Sequence, residues 1–141
     1  MEPGEIHAST DPPSASGARI LYIDDDEALL ELLGGFLQRR GHRVEAFADS
    51  AAALDRLRAM PQAFDLVITD YLMPGPSGLV VAREVRAIRA DLPVIVVSES
   101  VRWDSGWHAL DPSVAAAVAK ADLAALERAI QRVRTGASPA P

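Results

Sequence analysis

The sequence contains no cysteine, which excludes a disulfide framework and any thiolate metal centre. It has three histidines, His7, His42 and His108, scattered along the chain, so no histidine metal site is expected. Positive charge is in deficit: 14 Lys and Arg stand against 20 Asp and Glu, for a formal net charge of -6. Such a balance repels phosphate backbones and anionic lipid surfaces, so neither nucleic acid nor membrane is expected as a partner. No apolar run is long enough to span a bilayer. The start of the chain lacks the basic region and apolar core of a signal peptide. The expected compartment is the cytoplasm.

What remains is ordinary for one globular domain: 141 residues, 49% hydrophobic and 24% charged, enough to bury a core without covalent or metal staples. Residues 1–17 and 136–141 are rich in small residues and proline. They read as disordered tails around a domain over 18–135.

Between the tails, strand-like and helix-like segments alternate. Ile20–Ile23 is a short apolar run suited to a strand buried on both faces. A helix follows over Ala28–Arg40, with Gly41 as its stop. Arg43–Phe47 reads as a second strand. Asp49 or Ser50 caps a helix with Ala53, Leu54 and Leu57 on its apolar face. Leu66–Thr69 is a third strand, followed by a loop punctuated by Pro74, Gly75, Pro76 and Gly78. A helix over Leu79–Arg89 and a β-branched strand over Pro93–Val97 come next. Residues 98–115 hold at best a short helix. Ala116–Ala119 is a small-residue strand, and Asp122 caps a final amphipathic helix. Strict alternation implies an α/β fold: a five-stranded parallel sheet with helices on both faces. In the flavodoxin-like order 2-1-3-4-5, ligands sit at the carboxyl ends of the strands.

The acidic residues fall at that edge. Asp24, Asp25 and Asp26 follow the first strand and Asp70 follows the third, and this order makes those two strands neighbours. Three carboxylates in one crevice repel, so without a cation at least one should have a raised pKa. A divalent ion can relieve this, and oxygen-only ligands with open water positions suit Mg²⁺. Lys120 ends the fifth strand and offers a fixed positive charge. Ser98 ends the fourth and offers a hydroxyl. This set fits phosphoryl transfer to a carboxylate, with Asp70 as nucleophile and Asp24 and Asp25 holding the metal. Taken singly, each residue has a plainer reading. Asp24–Asp26 suits a helix N-cap cluster, Asp70 a turn, and Ser98 and Lys120 the surface. Their joint placement is what carries the argument.

Over about Arg19 to Val133 the chain resembles the receiver domain of response regulators. The resemblance rests on Ile20–Glu27, on Phe64–Gly78 with its Asp70-x-x-Met73-Pro74-x-x-x-Gly78 pattern, on Asp91–Ser98, and on Lys120. It implies two-component signalling, with Asp70 as phosphoacceptor and Mg²⁺ as cofactor. Asp25 would bind the metal most directly, with Asp24 beside it. Leu72 would give its backbone carbonyl, while Ser98 and Lys120 would stabilise the phosphoryl group. A histidine kinase or phosphotransfer protein would be the donor and a downstream protein the reader, with the domain a monomer or weak homodimer. The first half is similar to receivers of hybrid sensor kinases. The chain after Val133 is too short for an output module, so action is expected through docking or relay. The resemblance implies a signalling domain, not an enzyme.

Three departures fall on the signalling side. Glu99 stands where the family usually has a small residue, and would repel a phosphoryl group, interact with Lys120, or turn to solvent. Ala117 stands where a Tyr or Phe switch ring is usual, so no rotamer switch is expected there. Lys120–Ala121 replaces Lys-Pro; a cis bond there would cost about 3–4 kcal/mol, and trans is expected. Trp103 and Trp107 form either a partner-binding patch or a cover over the core. The alternative function is a phosphorylation-independent interaction module on the same fold. Two other readings have less support. A haloacid-dehalogenase-type phosphatase lacks its Thr or Val and leaves Asp70 unexplained. A flavodoxin lacks its phosphate loop.

Overall fold

The computed structural model describes residues 5–8, 17–71, 77–99, 112–120 and 122–135. In chain order the elements are β1 (Glu5–Ala8), β2 (Arg19–Ile23), α1 (Glu27–Arg39), β3 (Arg43–Phe47), α2 (Ser50–Ala59), β4 (Leu66–Asp70), α3 (Gly78–Ile88), β5 (Val94–Ser98), β6 (Ala116–Ala119) and α4 (Leu123–Arg134).

The helix starts are written in short polar side chains. Asp26, Asp49, Ser77 and Asp122 each sit at an N-cap and accept a backbone N–H from the first turn, satisfying donors that have no partner within the helix. Gly41 follows α1 with φ 94°, a left-handed conformation that glycine adopts without steric cost.

One sheet holds all the strands in the order β1-β3-β2-β4-β5-β6. The five strands from β2 to β6 are parallel and run in the expected order, with β2 and β4 adjacent at the centre. β1 is an addition, paired antiparallel to β3 from Glu5 opposite Phe47 to Ala8 opposite Glu45. It lies within the segment read as a disordered tail, so that reading is corrected for these four residues. Four residues are too few to show a hydrophobic period, and they gain order by pairing with an otherwise open sheet edge.

Two cores flank the sheet. Ile20, Tyr22, Ile68, Ile95 and Val97 face Leu30, Leu33 and Leu37 of α1 and Leu126 and Ile130 of α4. Leu21, Ile23, Val67 and Val96 face Leu54 and Leu57 of α2 and Val81 and Val85 of α3. Strand side chains alternate between faces, so the central strands, lined on both sides, read as unbroken apolar runs. The helix expected between β5 and β6 falls largely outside the described residues.

Candidate functional site

The site lies where β2, β4, β5 and β6 end. Ile23 pairs with Thr69, Asp70 with Val97, and Ser98 with Ala119. This register brings the residues after β2, the last residues of β4 and β5, and the first residue after β6 to one edge. Asp70 is the final residue of β4, so the strand runs one residue past the expected Leu66–Thr69.

Asp24, Asp25 and Asp70 can each present a carboxylate oxygen within a 4.8 Å cluster. Asp24 is fully buried and Asp70 nearly so, while Asp25 is exposed. Asp26 is set apart from them: its side chain accepts the Leu29 N–H at the start of α1. The N-cap reading of the acidic run therefore describes Asp26, while its two predecessors lie in the cluster with Asp70.

Lys120 Nζ bridges the cluster, 3.2 Å from Asp24 Oδ2 and 3.2 Å from Asp70 Oδ2. Burial raises the Asp70 pKa, and the neighbouring Asp24 carboxylate raises it further, against the opposing pull of Lys120. Burial works against the Lys120 charge, but Asp24 and Asp70 outweigh it and hold the ammonium above its ordinary value. Three carboxylates against one ammonium leave a formal charge of minus two, with oxygen as the only donor atom. This chemistry fits a hard divalent cation such as Mg²⁺.

Ser98 is buried at the end of β5, and its carbonyl accepts the Lys120 N–H at 2.9 Å. Glu99 is exposed. With Leu29, Leu32, Leu33, Ala119, Lys120 and Leu123 it lines a largely apolar cavity of about 420 Å³ beside the cluster. Ala117 is half-buried on β6 and pairs with Val96. Leu72, Trp103, Trp107 and Ala121 lie outside the described residues, and with them the metal carbonyl, the tryptophan patch and the Lys120–Ala121 bond.

Two contacts at this edge were not foreseen from the sequence. The Tyr22 hydroxyl donates to Asp24 Oδ2 at 3.2 Å from within the core. Burial, then the Asp24 charge, pushes the phenol far above its ordinary pKa, so it keeps the proton that it donates to Asp24. The second contact is at Gly78. A Cβ at that position would lie 2.6 Å from the Asp70 carbonyl oxygen. Only glycine lets the start of α3 approach β4 this closely.

A family model for the response regulator receiver domain matches residues 20–131. The chain belongs to this family. Receivers are signalling modules in which phosphorylation on an aspartate with Mg²⁺ is general. The chain is 40% identical over 83 residues to the two-component response regulator ARR14 of Arabidopsis thaliana. It is 36% identical over 80 residues to the transcriptional regulatory protein RprY of Bacteroides fragilis. The matches cover 59% and 57% of this chain but only 22% and 33% of those relatives. Among solved structures, a receiver domain protein from Clostridium thermocellum superposes with a TM-score of 0.77 at 27% identity, covering 84% of this chain and 95% of that one. The response regulator TrrA of Thermotoga maritima, in complex with Mg²⁺-BeF, gives 0.70 at 29% identity, covering 82% and 97%. Among the described residues, no helix of this receiver is long and apolar enough to cross a membrane.

Proposed function

We propose that this receiver accepts a phosphoryl group on Asp70 from a phosphohistidine of a histidine kinase or phosphotransfer protein. An Asp70 carboxylate oxygen attacks phosphorus, the P–N bond breaks, and the departing imidazole keeps the electron pair and takes a proton. Asp24, Asp25 and Asp70 would hold Mg²⁺, which supplies positive charge to the equatorial phosphoryl oxygens. Lys120, already at Asp70, adds the second positive charge, and Ser98 offers its hydroxyl from the next strand. The protein's own contribution is positioning and charge compensation. The phosphorylated form then acts by docking to a downstream protein or by passing the group along a relay.

The observation that carries this reading is the Lys120 ammonium shared between Asp24 and Asp70 at one strand edge. The test is phosphorylation by phosphoramidate with Mg²⁺, followed by intact-mass measurement. A gain of one phosphoryl group in the wild type, absent from Asp70→Asn, is expected. An unmodified wild type would favour the phosphorylation-independent module, and modification that persisted in Asp70→Asn would move the acceptor elsewhere.

A further inference from the structure

Asp24 has no contact with solvent, yet it carries one of the charges on which the site depends. A buried carboxylate keeps its charge and orientation only if its oxygens are partnered. Here Oδ1 accepts the Asp26 N–H at 3.0 Å. Oδ2 accepts two donors, Lys120 Nζ from β6 and the Tyr22 hydroxyl from β2, each at 3.2 Å. The two donors differ in kind. Lys120 is shared with Asp70 and sits on a long, rotatable stem. Tyr22 is fully buried among Leu30, Leu33, Ile68 and Val97, and its ring is held by packing. The geometry follows from the strand: Tyr22 and Asp24 are two residues apart, so both project to the same face of the sheet, and the phenol lies directly beneath the carboxylate.

We infer that Tyr22 is a positioning residue for the metal site. Its hydroxyl fixes the Asp24 carboxylate from below, independently of Lys120, and keeps Oδ2 hydrogen-bonded when Lys120 turns to a phosphoryl group on Asp70. The inference rests on the Mg²⁺ and phosphoryl reading given above. Partners of this sort, one step behind the metal ligands, orient those ligands, and their loss typically weakens metal affinity by about 10–100-fold.

The test is calorimetric titration of Mg²⁺ into the full chain and into Tyr22→Phe, which keeps the ring in the core and removes only the hydroxyl. The Mg²⁺ Kd of the folded variant should rise by roughly tenfold or more. A role confined to core stability would lower the melting temperature and leave the Kd unchanged, and that result would overturn the inference. A second measurement does not depend on the variant folding. The chain has two tyrosines, Tyr22 and Tyr71, so ¹³Cζ-labelled tyrosine gives two signals, assigned with Tyr71→Phe. The Tyr22 signal should shift during the Mg²⁺ titration with the calorimetric midpoint; a static signal would sink the idea. A wild type that binds no Mg²⁺ would instead refute the metal reading itself, and the role of Tyr22 with it.

Discussion

His42 and Glu127, 85 positions apart in sequence, meet at 3.0 Å between Nε2 and Oε1. The other imidazole nitrogen, Nδ1, accepts the Ala18 N–H at 2.9 Å. Accepting at Nδ1 puts the ring proton on Nε2, which donates to Glu127. One buried ring thus ties the entry to β2 and the end of the α1–β3 turn to α4. His42→Ala leaves the Ala18 N–H buried without this acceptor. An unsatisfied buried donor costs about 1–3 kcal/mol, so the urea midpoint should fall accordingly, with little change in slope. Phosphorylation at the opposite edge of the sheet should be unaffected.

Asp70→Asn should stabilise the protein at neutral pH. Burial and Asp24 raise the Asp70 pKa in the folded state, so its ionised form opposes folding. The favourable contribution of this group is fully present below the ordinary carboxylate value of 3.8 and is lost as pH rises through the raised one. The variant's advantage should therefore be greatest near pH 7 and shrink as pH falls toward 4. Thermal melts across that range test it, at about 3–5 °C for each kcal/mol relieved. An advantage that grew on acidification would contradict it.

Lys120→Met should have the opposite effect. It leaves Asp24 and Asp70 facing each other in a buried site, and removing one partner of a buried pair costs about 3–5 kcal/mol. The Tyr22 and Asp26 donors to Asp24 remain, which places the loss toward the lower end. Without the ammonium the cluster is more negative, so Mg²⁺ should raise the melting temperature of the variant by more than that of the wild type. For scale, ligand at a hundred times its Kd contributes about 2.7 kcal/mol. Melts in Mg²⁺ and in chelator provide the comparison.

Gly78→Ala forces a methyl group into a space where the Asp70 carbonyl lies 2.6 Å away. The neighbouring atoms are backbone and can yield only by moving β4 and α3 apart. Overpacking of this kind typically costs about 1–3 kcal/mol. Because Asp70 itself must shift, its phosphorylation rate should fall more than the lost stability accounts for, measured at a temperature where the variant is fully folded.

Much of this architecture is legible in the chain. The central strands announce themselves as apolar runs, and the helices by their caps and periodic faces. Asp24, Asp25, Asp70, Ser98 and Lys120 could be placed together because each stands at a strand end and parallel strands end at one edge. The Tyr22 contact was harder to see: a tyrosine in an apolar run reads as core, and its hydroxyl acquires meaning only once its neighbours are in place. Gly78 read as loop punctuation for a similar reason, since its true constraint is a carbonyl eight residues earlier. β1 was illegible because its pairing is with a strand some forty residues away.

The packing around Asp70 also has a mechanical side. The Asp70 carbonyl leaves no room for a side chain on Gly78 and accepts the Thr69 hydroxyl. The next residue, Tyr71, donates its N–H to Val97 and accepts the N–H of Gly78. On its α3 flank Asp70 therefore stands against close-packed backbone, while toward Lys120 it faces a side chain that can rotate. Asp70 is therefore displaced more easily toward Lys120 than toward α3. The compliance of the domain has a direction, set by one missing methyl group.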